Sequence, residues 1–133
     1  MINIRNIQVL TVAIVMASSP ASAIELTGAW ASEADMCSQV FSKRGSHVAF
    51  TEMSEFYGSG FIIEGNSIRG KSANCTIKSK KENAGSVEIS AACATSIMNQ
   101  DMKFVLKVID DNNISRSFPD ISDMSVKFTR CAM

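Results

Sequence analysis

The chain of 133 residues carries thirteen basic and thirteen acidic side chains, so its formal net charge is zero. This balance provides no strongly basic surface, and we expect neither nucleic acid nor an anionic membrane surface as a partner. The single histidine, His47, is the one conventional general base or imidazole ligand, which limits the catalytic and metal-binding classes open to the chain.

Residues 1–23 have the composition of a cleaved secretory signal: a positive charge at Arg5, an apolar run over 9–17 and small residues at 21–23. The apolar run is shorter than the roughly 20 residues of a membrane-spanning helix, and no later segment approaches that length. We therefore expect a periplasmic or secreted protein with no integral membrane segment after signal cleavage. Residues 24–133 have the size of a single domain.

The four cysteines of the chain are Cys37, Cys75, Cys93 and Cys131. An even number of cysteines in an exported chain predicts two disulfides, and the long spacings do not suit a zinc site. Four cysteines allow three pairings. We favour the sequential pairing, Cys37 with Cys75 and Cys93 with Cys131, because bridges between adjacent strands are geometrically demanding. The alternative places Cys75 opposite Cys93 across a hairpin centred on Ala84 and ties Cys37 to Cys131.

The segment from Ser32 to Gly45 predicts one short helix. Ser32 is a suitable N-cap, acidic residues follow it, basic residues precede Gly45, and glycine commonly ends a helix. Met36 and Val40, four residues apart, would supply the buried stripe of this helix, with Phe41 beside them.

From residue 47 onward, apolar and polar residues alternate in short runs that predict strands. Turn residues occur at 65–66, 83–85 and 110–113, and residues 125–131 form a final strand. The pattern predicts an all-β fold: a small antiparallel meander barrel of about seven or eight strands, with one short helix after the first strand. An open sandwich is the alternative.

Gly28 and Trp30 form a Gly-x-Trp at the start of the predicted mature chain. This arrangement resembles the first strand of lipocalin-like folds and of the small periplasmic protease-inhibitor barrels related to them. In lipocalin-like barrels the Trp plugs the closed end and a basic residue of the last strand lies over its ring. The resemblance therefore implies that Trp30 and Arg130 close the barrel. Strand alternation also places Arg130 on the same face as Val126 and Phe128, which we take as the inner face.

The whole predicted mature chain is similar to small exported proteins of Gram-negative bacteria that have the pattern Gly-x-Trp, Cys, Gly-Phe-Ile-Ile, Cys-x-Ile, Ala-Cys and a terminal Arg-Cys. This resemblance implies a compartment and a fold, but no activity.

Few residues of the chain offer catalytic or metal chemistry. His47 lies at the entrance to a predicted strand, and we interpret it as an exposed strand end. Residues 110–113 offer oxygen ligands, but their spacing is not that of a calcium loop and a hairpin turn explains them. No nucleophile elbow occurs. We therefore expect no enzyme, no metal and no cofactor, and an enzyme that uses His47 is the alternative.

The segment "SEFYGSGF" places Phe56, Tyr57 and Phe61 beside two glycines, a composition that is typical of recognition loops. The alternative is that Phe56 and Phe61 cap the core.

We hypothesise an exported, non-enzymatic binding or inhibitor-type module of lipocalin-like architecture, whose partner is an unknown protein or a small apolar ligand. The alternative is a structural or stress-protective envelope protein. A vacant apolar cavity of roughly a few hundred Å³ favours a ligand, and a filled interior favours the alternative.

Overall fold

The computed structural model describes residues 12–16, 24–118, 120–121 and 124–133. Most of the predicted signal and Pro119 lie outside these residues. The described residues form ten strands: β1 (Gly28–Ala31), β2 (Phe41–Arg44), β3 (His47–Phe50), β4 (Gly60–Glu64), β5 (Ser67–Arg69), β6 (Asn74–Asn83), β7 (Ser86–Ala94), β8 (Asn99–Asp110), β9 (Asn113–Ser117) and β10 (Ser125–Arg130).

Eight of these strands form a closed antiparallel barrel in the order β1-β10-β9-β8-β7-β6-β5-β4. Strands β4 to β10 follow one another as neighbours, so the predicted meander barrel is confirmed. β1 completes the ring by pairing with β10 on one side and with β4 on the other. Trp30 is therefore opposite Arg130 in one ladder and opposite Phe61 in the other.

Residues 32–59 leave the barrel between β1 and β4, and we call this segment the insertion. It contains a 3-10 helix (Ala34–Met36), the α-helix α1 (Cys37–Val40), the hairpin of β2 and β3, and a second 3-10 helix (Ser54–Tyr57). The predicted short helix after the first strand is thus present.

The helix ends at Val40, well before the predicted stop at Gly45. Residues 41–44 are extended and pair with residues 47–50, and Gly45 has a φ of 63° in the turn between the two strands. A positive φ suits both a helix end and a tight hairpin, so the glycine did not distinguish them. Ser32 does not cap the helix; its hydroxyl accepts a hydrogen bond of 3.0 Å from the backbone N–H of Ser59.

β1 is buried on both faces. Trp30 points into the barrel and is fully buried in the main core, whereas Ala29 and Ala31 point outward into a second cluster with Phe41 of the insertion. The neighbouring Gly60 leaves room for this contact, because a Cβ atom there would lie 2.7 Å from the Trp30 carbonyl oxygen and 2.8 Å from the Phe41 ring. Small residues on the outer face therefore let the insertion pack directly on the barrel.

Both predicted disulfides are present, but the sequential pairing that we favoured is wrong: Cys75 bonds to Cys93, and Cys37 bonds to Cys131. Cys75 lies directly opposite Cys93 on the neighbouring strand with a Cα–Cα distance of 4.0 Å. Non-hydrogen-bonded antiparallel pairs approach to about 4.5 Å, so the register itself brings these side chains within reach. The Cys37–Cys131 bridge fastens the insertion to the residue that follows β10.

The hairpin between β6 and β7 offers a test of the turn. Ala84 has a φ of 47°, a conformation that Asn adopts more readily than Ala. We expect Ala84→Asn to raise the free energy of unfolding by about 0.5–1 kcal/mol. Gly85, with a φ of 83°, has no atom within 4 Å of an added Cβ, so Gly85→Ala adds backbone strain alone and should destabilise by about 1 kcal/mol. Urea unfolding measures both, and coincident midpoints for the two variants would contradict the expectation.

Candidate functional site

The barrel has two different ends. The end that carries the turns at 65–66, 84–85 and 111–112 is covered by residues 24–27, and we call it the closed end. The Ile24 N–H donates to the Glu82 carboxylate at 3.2 Å across this end. Because strands in an antiparallel barrel alternate in direction, the other connections all lie at the opposite end, which we call the open end. These connections are 51–59, 70–73, 95–98 and 118–124.

Arg130 covers Trp30 at the closed end. Its guanidinium carbon lies 4.5 Å from the centroid of the Trp30 ring, a cation–π contact of about 0.5–2 kcal/mol. The guanidinium also donates to the backbone carbonyls of Glu25, at 2.8 Å, of Thr27, and of Asp111, at 3.1 Å. The indole N–H of Trp30 donates to the Leu26 carbonyl at 2.9 Å. The structure therefore brings the two residues together, and their donors are occupied.

A hollow of about 550 Å³ lies between residues 24–26 and the turn at 111–112. Several of the polar side chains around it are engaged within the protein. Arg130 and Trp30 donate to backbone carbonyls, and hydrogen bonds from the Asn113 side chain and the Asn112 N–H hold the pKa of the Asp110 carboxyl below its usual value. The donors of Arg130 and of the Trp30 indole and the carboxylate of Asp110 are thus occupied within the protein and are not available to a ligand.

A second cavity, of about 330 Å³, opens at the other end of the barrel, and we call it the cup. Phe61 lies between the cup and Trp30, with its ring centroid 6.5 Å from that of Trp30 and 4.9 Å from that of Phe128. The rings of Trp30, Phe61 and Phe128 thus fill the middle of the barrel interior, and the cup lies beyond Phe61. The apolar walls of the cup include Phe61, Ile68, Met102, Phe104, Phe118 and Val126.

Arg116 is the charged residue among the described residues that line the cup. It lies on β9 opposite Leu106 and Val126, and its guanidinium carbon is 4.6 Å from the ring centroids of both Phe104 and Phe118. Its Nε is buried and has no hydrogen-bond partner in the described part of the chain. Among the described residues, no carboxylate lies within salt-bridge distance of Arg116.

Burial lowers the pKa of Arg116 from its usual value, because a charged group loses hydration when it leaves water. A buried donor without a partner costs about 1–3 kcal/mol, and each aromatic contact returns about 0.5–2 kcal/mol. Arg116 is therefore held in place by the rings while its Nε–H has no acceptor among the described residues. This combination distinguishes it from Arg130.

Exposed apolar side chains surround the open end, and we call them the rim. From Ile24 onward, every large hydrophobic residue that is strongly exposed in the described part of the chain belongs to the rim, apart from Ile109 and Met133. Phe56 is 71% exposed and Ile97 is 88% exposed. The rim consists of Met53, Phe56, Tyr57, Ile97, Met98, Ile121 and Met124.

The three residues of the predicted recognition loop are placed in two different settings. Phe56 and Tyr57 lie on the second 3-10 helix with exposed side chains. Phe61 is half-buried on β4, where it faces the interior and lines the cup. His47 is exposed on β3, outside the barrel. Among the described residues, no three His, Cys, Asp or Glu side chains converge to hold a metal ion.

Arg116 was not among the site residues that we predicted, although the sequence contains a signal for it. Residues 114, 116 and 118 alternate as Ile, Arg and Phe, so Arg116 shares a strand face with two apolar residues. The same alternation led us to Arg130 on the neighbouring strand. An arginine on the apolar face of a predicted strand is therefore the feature that identifies both inward cations.

The chain matches no protein-family model, and comparison with curated proteins and with solved structures found no match. Within the described residues, no helix has the length and apolar character needed to cross a membrane. We therefore infer function from the residues of this chain.

The closed end predicts a specific order of stabilities. Trp30→Ala removes the largest fully buried side chain and should lower the free energy of unfolding by about 3–5 kcal/mol. Arg130→Met leaves an apolar stem but loses the cation–π contact and the bonds to the carbonyls, and should cost about 1–3 kcal/mol. Lys127→Met, an exposed cation on the outer face of the same strand, should change stability by less than about 0.5 kcal/mol. Urea unfolding measures all three, and equal losses for Arg130→Met and Lys127→Met would refute the closing role.

Proposed function

We propose that this protein is a non-enzymatic binding module that takes up a small apolar ligand in the cup, and that it works in the periplasm or outside the cell. The observation that carries this proposal is the vacant apolar cavity of about 330 Å³ at the open end. Small-molecule sites in proteins span roughly 300–1,000 Å³, so the cup lies at the small end of that range.

The cavity also argues against a purely structural role. A barrel that only needs stability gains from filling its interior, since every unfilled methylene volume forfeits packing energy. Here the lower interior is filled by Trp30, Phe61 and Phe128, whereas the space above Phe61 is open to solvent. A ligand of apolar character would complete the packing that the side chains leave unfinished.

The two disulfides support an extracytoplasmic location. Structural disulfides persist in oxidising compartments and are rare where thiols are kept reduced. One bridge, Cys75–Cys93, lies within the main core, and the other, Cys37–Cys131, joins the insertion to the end of β10. The signal at residues 1–23 remains a prediction that agrees with this location.

A second candidate function, protein binding of the inhibitor type, is favoured by the rim. Exposed Phe56 and Tyr57 stand beside the exposed carboxylates Glu52 and Glu55. The ammonium of Lys71 lies 3.8 Å from the Glu55 carboxylate and donates to the Thr51 and Glu52 carbonyls, whereas the Glu52 carboxylate has no salt bridge among the described residues. An apolar surface edged with an unpaired carboxylate fits a basic protein partner.

Filling the cup tests the leading proposal. Val126→Trp places a bulky side chain on the inner face that lines the cup, and Lys127→Trp places the same side chain on the exposed outer face of the same strand. Calorimetric titration with 1-octanol should show binding to the wild type and to Lys127→Trp. Binding to Val126→Trp should be at least tenfold weaker, because the volume is occupied. Octanol binding that is equal in the two Trp variants would place the ligand elsewhere, and no binding to the wild type would refute the proposal.

The rim candidate has a separate test. Proteins of the periplasm or culture fluid are captured on the immobilised wild type, on Val126→Trp and on the double variant Phe56→Ser, Tyr57→Ser. A basic protein that is retained by the first two and lost from the double variant would support protein binding through the rim. Identical capture by all three would contradict it.

A further inference from the structure

We propose that the ligand of the cup is a small amphiphile that ends in a carboxylate or a similar oxyanion, and that Arg116 binds this group. This inference rests on the proposed function and extends it by naming the chemistry of the ligand. It arises from the one buried side-chain donor without a partner among the described residues, the Nε of Arg116.

The barrel contains two inward-facing arginines, and they differ in their acceptors. The guanidinium of Arg130 donates to the carbonyls of Glu25, Thr27 and Asp111. Arg116 contacts Phe104 and Phe118, and aromatic rings stabilise its charge but supply no oxygen acceptor for its N–H groups. Buried donors in native proteins nearly always have a partner, so an acceptor from outside the chain fits this position.

An anionic oxygen is the acceptor that fits best. The planar guanidinium presents its N–H donors in a fork that matches the two oxygens of a carboxylate. The apolar walls around the guanidinium strengthen attraction between opposite charges, which makes a neutral or cationic head group a poor substitute. A ligand that places its oxyanion at Arg116 can lay its apolar part against Ile68, Met102 and Val126, which line the same cavity.

The volume of the cup limits the length of the amphiphile. A water molecule's share of liquid volume is about 30 Å³, so a cavity of about 330 Å³ holds roughly ten non-hydrogen atoms. Octanoate has this size, and 1-octanol and octylammonium are matched probes that keep the chain and change the head group.

Calorimetric titration of the disulfide-bonded wild-type protein with the three probes tests the head group. We expect octanoate to bind at least about tenfold more tightly than 1-octanol, because a hydrogen bond to a charged partner is stronger than one to a neutral group. Octylammonium should bind more weakly than 1-octanol. In ¹H–¹⁵N spectra, octanoate should also shift the Nε–H signal of Arg116 downfield, and 1-octanol should not.

Two methionine variants assign the effect to Arg116. Arg116→Met removes the charge inside the cup, and Lys127→Met removes the same charge from the outer face of the neighbouring strand. Octanoate affinity should fall at least tenfold in Arg116→Met to the level of 1-octanol, whose own affinity is kept or improved. Lys127→Met should bind all three probes as the wild type does. The spectral shift in the wild type tests the same contact without any variant, which covers the case that Arg116→Met does not fold.

The outcomes separate this inference from the proposed function. Equal affinity of the wild type for octanoate and 1-octanol, without an Arg116 signal shift, would overturn the anion inference and leave the apolar binding module intact. An octanoate preference that survives Arg116→Met would also overturn it. If none of the probes binds, both the inference and the proposed function fail.

Discussion

Closure of the barrel depends on the contact between Trp30 and Arg130. β1 has only four residues, yet it completes the ring by pairing with both β10 and β4. The guanidinium above the indole also binds carbonyls on both sides of the closed end, from Glu25 and Thr27 of the N-terminal segment and from Asp111 of the β8–β9 turn. One side chain therefore joins the last strand, the chain start and a hairpin turn, and it covers the apolar plug beneath them.

The two faces of β1 explain how the insertion can leave the barrel without weakening it. Strand alternation turns Trp30 inward and leaves Ala29 and Ala31 outward, where small side chains accept the insertion closely. The Cys37–Cys131 bridge then ties the insertion beside the same strand. Closing a loop of this length removes much conformational freedom from the unfolded chain, about 4–5 kcal/mol in the chain-entropy model, so the attachment does not depend on the small outer cluster alone.

Local patterns in the sequence were sufficient to predict most strands, because alternation and turn residues act over a few positions. Alternation also placed Arg130 inside. Features that depend on distant pairing were not predictable. Ala84 and Gly85 form a two-residue turn, and a regular ladder that starts from this turn would place Cys75 opposite Ala94. An irregularity between Ile77 and Ser79 shifts the register by one residue, so Cys75 lies opposite Cys93 instead. The cup is similarly non-local, since it is the space that inward side chains from several strands leave unfilled.

The two inward-facing arginines of the barrel differ in the groups that surround their guanidinium groups. Two arginines face inward on adjacent strands, and the same alternation places both. Where backbone carbonyls surround the guanidinium, at Arg130, the cation stabilises the fold. Where aromatic rings contact it, at Arg116, the Nε has no acceptor among the described residues and its desolvation is only partly offset. The Nε of this cation is already buried and two ring contacts already orient the guanidinium, so a ligand oxyanion would meet a donor whose reorganisation cost has been met during folding. The folding free energy that is lost by burying the unpaired Nε of Arg116 can therefore be recovered when an oxyanion binds there.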